Sequence, residues 1–504
     1  MTDPKLERFA AYTTPETFAR IRSYPTLVEM WESCLSQYGD SPAVVDGETL
    51  SFTALEERAA RVRRALAEKG VKKGDRVGLY LPNCADFAVF FLGAATAGCV
   101  AVLLPPHLPA EAVLGCTAGF SLKALLSCEA LLPNTALAAE KTGVPVLTAA
   151  SLPEQGAPMV KLSPEDPATV LFTGGTTGKS KAALLSHRAL MAGVRNGCYG
   201  IHDIFGQRYL LVLPLTHVFG LIRNLLSSLY TGSSIFITRN NKDMFRDIAA
   251  FRPTVMVMVP ALAEMALNLS KQFGRNMLGD DLKTIVCGAA VVPPYLIREY
   301  DKLGIALLAG YGLTESANLV SGNPESLKKP SSVGLPYPGQ ELKIVDGELW
   351  LRGENIMDGY LDPEANKQAF CDGWFRTGDL VRFDEEGFLY ITGRIKEVLV
   401  LPSGEKVSPA ELETLFNTIE AVQDSLVYVD SHGVLSLQMV PRQVVLKALG
   451  VADPEAHIRA EVEKINAGLP GFERVSKIIV RDADFERSPS MKILREKNAQ
   501  SDHS

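Results

Sequence analysis

The sequence predicts an α/β protein with a large N-terminal domain of layered α/β sheets plus a small antiparallel, barrel-like sheet, followed by a small α+β C-terminal domain. Three observations carry this expectation. The chain has 504 residues, and chains beyond ~250–300 residues divide into more than one core. Short apolar runs alternate with helical patterns over most of its length, and the texture changes to strands with tight turns from Glu341 onward. An apolar share of 47% with 22% charged residues is that of a soluble globular protein, which excludes disordered, collagenous and coiled-coil classes. A net charge of -7 and no long basic block argue against nucleic acid as a partner.

Taken in order, Met1 to Ala10 carries Asp3 and Glu7 among basic residues and no apolar stretch, so it does not read as a secretory signal. The eight cysteines are scattered without a C-x-x-C pair, which fits buried thiols in a reducing compartment better than zinc. A cytoplasmic location is expected. Leu55 to Lys69 reads as a helix and Arg76 to Leu81 as a buried strand. Phe87 to Leu104 is uncharged and reaches the ~18 residues that raise the question of a membrane span. Its Gly and Ala content is too high for one, and Gly98 reads as a helix stop before a strand, so a core helix and a buried strand are predicted and no integral span.

The runs Thr169 to Phe172, Leu210 to Leu213, Val255 to Val259 and Thr284 to Val286 follow, with a helix over Ala261 to Gln272. Such runs lack polar alternation, as strands buried on both faces do, and predict mainly parallel sheets. Leu342 to Val345, Glu348 to Arg352, Leu380 to Phe383 and Phe388 to Ile391 form the meander. A fresh unit then begins, with strands at Val398 to Leu401, Ser425 to Val429, Ser436 to Val440 and Lys477 to Val480 and helices at Pro409 to Asn417 and Pro454 to Gly468. The boundary is placed at Lys396, giving domains 1–395 and 396–504.

The sharpest local signal is Leu171-Phe-Thr-Gly-Gly-Thr-Thr-Gly-Lys-Ser-Lys181, an apolar strand running into a loop of Gly, Thr and Lys. Glycines let backbone N–H groups turn inward around an anion, threonine hydroxyls add donors and lysines add charge, so the loop reads as a phosphate cradle rather than an ordinary turn. The P-loop pattern G-x-x-x-x-G-K-[ST] misses by one residue, because Thr173 stands where its first Gly belongs. A P-loop ATPase or kinase is therefore the weaker alternative.

Further blocks follow in order: Pro214-Leu-Thr-His217, Gly310-Tyr-Gly-Leu-Thr-Glu315, Trp374-Phe-Arg-Thr-Gly-Asp379, Gly393-Arg-Ile-Lys396, Ser403-Gly-Glu-Lys-Val-Ser-Pro409 and Ser488-Pro-Ser-Met-Lys-Ile-Leu-Arg495. With the loop, this series resembles the adenylate-forming acyl-CoA synthetases over nearly the whole chain. The resemblance implies ATP, Mg²⁺ and coenzyme A as cofactor or co-substrates and a fatty or aromatic carboxylic acid as substrate. A carrier-protein thiol is the alternative acceptor, and the oligomeric state is not legible.

It also implies roles, residue by residue. Thr173, Gly174, Gly175, Thr176, Thr177 and Lys181 would hold the β- and γ-phosphates, Thr314 the α-phosphate and Glu315 the Mg²⁺. Tyr311, after Gly310, would stack on adenine opposite Ala289 and Ala290, and Asp379 would take the ribose hydroxyls with help from Arg394. Lys492, on a mobile C-terminal domain, would reach the α-phosphate and the attacking carboxylate. Lys396 would be the pivot that brings Gly404 to the pantetheine tunnel, and His217 would stand beside the substrate carboxylate, against an amino acid substrate. Gly178-Lys-Ser-Lys-Ala182 departs from the usual Gly-x-Pro-Lys-Gly, and Met491 replaces the usual Gly before the lysine. The Met491 change, together with the one-residue-longer Leu401-Pro-Ser-Gly-Glu-Lys-Val-Ser-Pro409, resembles medium- and long-chain fatty acid ligases, whereas the loop change keeps Lys181. Gly312, where acetate-restricted members carry an aromatic, is expected to leave the acyl wall open.

Overall fold

The computed structural model describes residues 4–173, 181–487 and 493–500. The apolar runs become the inner strands of two large sheets. One has nine strands, with Ala306–Tyr311, Thr284–Cys287, Val255–Met258, Arg208–Leu211, Ser234–Ile237 and Pro42–Asp46 all parallel. The other has seven, with Pro167–Thr173, Val100–Leu104, Arg76–Tyr80, Ala124–Ser127 and Val146–Leu147 parallel. Antiparallel strands appear only at the sheets' edges, which is where a chain leaving a parallel layer can reverse without a crossover.

The helix expected from Leu55 begins at Phe52, because the Ser51 side chain accepts from Ala54 N at 3.1 Å and caps it. Leu55, Ala59, Val62 and Leu66 form its buried face at helical spacing. Arg63 on the same helix is also buried, and donates to Ala157 O at 2.8 Å and Thr96 Oγ1 at 2.9 Å while paired with Glu56. The uncharged segment resolves into the helix Ala85–Thr96 and the strand Val100–Leu104, both enclosed in the core. Among the described residues, no helix is long and apolar enough to cross a membrane.

The meander is a five-stranded antiparallel sheet of Gln340–Val345, Glu348–Gly353, Phe370–Cys371, Trp374–Phe383 and Leu389–Arg394. Downstream, Val422–Val429 pairs antiparallel with Leu435–Pro441, which pairs parallel with Lys477–Val480. Helices Pro409–Phe416 and Pro454–Ala467 supply Leu412, Phe416, Ile458 and Val462 to a separate apolar cluster with Leu437 and Met439. Each such fully buried side chain contributes ~1.5–3 kcal/mol. This unit meets the nine-stranded layer through Arg442, whose guanidinium lies 3.7 Å from the Tyr295 ring centroid and 3.4 Å from Glu264.

Candidate active site

Thr173 ends its strand opposite Lys181, which opens the antiparallel strand Lys181–Ser186. The loop between them, with Gly174, Gly175, Thr176 and Thr177, lies outside the described residues. Its flanks alone decide one question. A P-loop runs from strand into helix, whereas here the chain returns as a paired neighbouring strand, so that alternative is set aside. Lys181 Nζ lies 4.7 Å from the Tyr360 ring centroid, and the Tyr360 hydroxyl donates to Glu315 Oε1 at 2.5 Å. Burial, and then the charge of Glu315, push the Tyr360 phenol above its ordinary value, so it remains a donor. Thr314 and Glu315 sit on a short turn, Thr314–Ser316, fixed by Leu313 N donating to Ser316 Oγ at 3.0 Å. It ends in two left-handed non-glycine residues, Ala317 (φ 48°) and Asn318 (φ 80°), a conformation that costs of order 1–3 kcal/mol each and clusters at working sites.

A second polar line runs through Asp379. It faces Arg394 across paired antiparallel strands, and its two carboxylate oxygens accept separately, Oδ1 from Arg394 Nε and Oδ2 from the Tyr311 hydroxyl at 2.5 Å. Asp379 is 3% exposed. Burial, and then Asp379, raise the Tyr311 phenol well above its usual value. Burial alone would lower the Arg394 guanidinium, but the Asp379 charge and hydrogen bond more than offset it. Tyr311, expected as an adenine platform, is thus also tied by its hydroxyl to the carboxylate expected for the ribose. Each carboxylate oxygen has two lone pairs, so each keeps acceptor capacity for one hydroxyl of the diol.

His217 follows a short bend that Asn83 clamps, its Nδ2 donating to Leu213 O and its Oδ1 accepting from Leu215 N, both at 2.9 Å. Phe219 N donates to His217 Nδ1 at 3.2 Å, which makes Nε2 the protonated nitrogen of a neutral ring. The apolar residues after His217, Val218, Phe219, Leu221 and Ile222, are all buried in the core, and of these Val218 and Phe219 also line the cavity. Gly312 needs a correction. A Cβ there would stand 1.3 Å from Asn318 O, so glycine is demanded by the turn that carries Glu315 and says nothing about the width of the acyl wall.

Thr173, Lys181, His217, Ala289, Ala290, Gly310, Tyr311, Thr314, Glu315, Asp379, Arg394 and Lys396 all border one cavity of about 3370 Å³. Ala289 reaches it with φ 66°, again left-handed. Gly404 does not border it; it is exposed, with φ 93° and nothing within 4 Å of where a Cβ would stand. Lys492 lies outside the described residues, and the neighbouring Ile493, Leu494 and Arg495 line the cavity. Tyr360, Asn83 and Glu348, which accepts from Gly378 N at 2.9 Å, went unnoticed in the sequence. Strand pairing across long separations brings Tyr360 and Glu348 to the site, and the loop after Arg76–Tyr80 brings Asn83; no local pattern marks them.

Residues 31–361 match the AMP-binding enzyme family and residues 396–501 its C-terminal domain. The chain belongs to the AMP-binding enzyme family. Among curated relatives of this AMP-binding enzyme is a long-chain-fatty-acid–CoA ligase of Escherichia coli O157:H7, 32% identical over 466 residues, covering 80% of this chain and 82% of the relative. An oxalate–CoA ligase of Arabidopsis thaliana is 30% identical over 481 residues, covering 87% and 90%. Among solved structures, the anthranilate CoA ligase AuaEII in complex with anthranoyl-AMP shares the fold with a TM-score of 0.82 over 95% of this chain and 97% of that one, at 22% identity.

Proposed function

We propose that this AMP-binding enzyme is an ATP-dependent carboxylic acid–CoA ligase working in two half-reactions. A carboxylate oxygen attacks the α-phosphorus of ATP, the bond to the β-phosphate oxygen breaks and pyrophosphate leaves. The thiolate sulfur of coenzyme A then attacks the acyl carbon of the adenylate and AMP departs. The observation that carries this reading is the meeting of Lys181, Glu315, His217 and Asp379 around one cavity, each carboxylate fixed by a tyrosine hydroxyl.

The residues have separate tasks. Asp379 accepts the ribose hydroxyls while Arg394 and Tyr311 hold the carboxylate still, so little reordering is needed when nucleotide arrives. Lys181, with the Gly174 to Thr177 loop, places cationic and N–H donors against the leaving phosphates, where charge accumulates. Thr314 donates to the α-phosphate, and His217 Nε2–H is oriented to hold the acid's carboxylate. Among the described residues no three His, Cys, Asp or Glu side chains converge as a metal cage. A single carboxylate, Glu315, completed by phosphate oxygens and water, is the shell that Mg²⁺ favours. When bound there, the ion would shield phosphate charge.

Lys492 is proposed to close over the α-phosphate from a C-terminal unit that pivots at Lys396, with Gly404 serving the thiol step after the pivot. The second family match, which begins at residue 396, supports that division, and the placement of Gly404 away from the cavity fits an orientation other than the thiol step. The relatives' names span a long-chain fatty acid and oxalate, so likeness alone leaves the acid open. A panel of aliphatic, aromatic and dicarboxylic acids, read by pyrophosphate release and then offered CoA or a phosphopantetheinyl carrier protein, tests the reading. Thioester formed on CoA supports it; transfer only to the carrier protein overturns the choice of acceptor.

A further inference from the structure

Directly after His217 the chain forms an uncommon π-helical segment, Phe219–Leu226, a geometry that recurs at functional sites. It carries Arg223, which is 2% exposed and borders the same cavity as His217. Neither Nη1 nor Nη2 of Arg223 makes a hydrogen bond of good geometry among the described residues, and its one polar neighbour of hydrogen-bonding kind is the uncharged Tyr209 hydroxyl, which brings no counter-charge. A guanidinium cannot shed its charge inside a protein, so unlike a lysine it has no means of relieving burial by deprotonating. Its titratable neighbours supply no anion. Burial pushes the Cys198 thiol and the Tyr337 phenol up to about 12 and raises the Tyr209 phenol, and the pull of Arg223 on each is the weaker effect. All three are neutral at physiological pH.

The stem of Arg223 is accommodated by design of the neighbouring helix end. A Cβ at Gly197 would stand 3.2 Å from Arg223 Cδ and 2.7 Å from Ser227 Oγ, so glycine there gives the arginine its passage. Asn318 Nδ2, a further buried donor without a partner, stands in the wall of the same cavity. A pocket meant only for a hydrocarbon tail would have no use for a permanently charged, uncompensated group at its wall, where one lost counter-charge costs several kcal/mol.

We infer that Arg223 is the receptor for a second anionic group on the acid, and that the preferred substrates are dicarboxylic acids whose far carboxylate pairs with its guanidinium. This rests on the ligase reading above and deepens it. The far carboxylate would supply the missing acceptors, two oxygens against two N–H edges, while the near carboxylate stays beside His217 for adenylation.

The test compares α,ω-dicarboxylic acids with monocarboxylic acids of equal length, using acid-dependent pyrophosphate release by the full chain and by Arg223→Met. The wild type is expected to favour at least one diacid over its monoacid counterpart by roughly 10- to 100-fold in kcat/KM, the worth of one charge-assisted pair. Arg223→Met is expected to lose that preference while leaving monoacids within a few-fold. Monoacids active and every diacid no better in the wild type would overturn the inference while leaving the ligase reading intact. Equal losses for both series in Arg223→Met would overturn it too, as the mark of a structural arginine. No pyrophosphate from either series would instead sink the ligase reading. Should Arg223→Met fail to fold, the wild-type comparison of matched acids decides alone.

Discussion

Replacing Asp379 by alanine isolates the nucleotide end of the site. In the wild type its Oδ1 and Oδ2 accept from Arg394 and Tyr311, and the carboxylate is almost fully buried. A hydrogen bond to a charged group is worth ~1.5–3 kcal/mol, and 1.4 kcal/mol is tenfold, so each lost ribose contact should cost roughly 10- to 100-fold in affinity. The orphaned Tyr311 hydroxyl adds ~1–3 kcal/mol of lost stability. Pyrophosphate release measured against ATP and against dATP separates the two effects. The wild type should discriminate between them by at least about tenfold, whereas Asp379→Ala, which loses both ribose contacts, should raise KM for ATP by at least roughly 100-fold and treat both nucleotides alike. Tyr311→Phe, which keeps the carboxylate, should retain the discrimination. An Asp379→Ala enzyme that still prefers ATP over dATP, or whose KM is unchanged, would refute the assignment.

Other consequences follow from single contacts. Gly312→Ala puts a methyl 1.3 Å from Asn318 O, so a stability loss of ~1–3 kcal/mol or more is expected in thermal melts, together with lost activity; an unchanged melt with an altered acid-length preference would restore the pore-width reading. Burial lowers the His187 pKa to about 4 from 6.5, and its Nδ1 accepts from Leu27 N at 3.4 Å. The unfolded chain therefore binds the extra proton first: this stability is complete above pH 6.5, declines as pH falls toward 4, and amounts to roughly 3 kcal/mol. His187→Gln should flatten the fall of melting temperature between neutral and mildly acid pH, and parallel curves for the two proteins would contradict the assignment. Lys492→Ala should abolish adenylate formation yet spare thioester formation from a supplied acyl-adenylate; equal loss of both steps would remove Lys492 from the first half-reaction.

Much of the architecture was legible because parallel strands buried on both faces have no polar alternation to hide them. Val255–Met258 and Thr284–Cys287 fall within a residue of their expected bounds. The misses have physical causes. Trp374–Phe383 is ten residues long where only Leu380 to Phe383 was expected, because Arg376, Thr377 and Asp379 are polar and their place in a strand is set by partners on both sides. Phe52 was missed as a helix start because the signal is Ser51, a cap that carries no periodicity. At the site, motif blocks marked Glu315 and Asp379 but not the tyrosine hydroxyl bound to Glu315, since Tyr360 reaches it only through the pairing of Gly359–Tyr360 with Lys181–Ser186. Gly312 was read for the space it leaves in a pocket, whereas the constraint is a backbone carbonyl that no sequence displays.

The most direct measurement is the nucleotide balance of the reaction with acid, ATP and coenzyme A together. AMP and pyrophosphate appearing in step with thioester, and neither appearing without acid, is the result this account predicts. ADP and orthophosphate as products, or ATP turnover that ignores the acid, would contradict it.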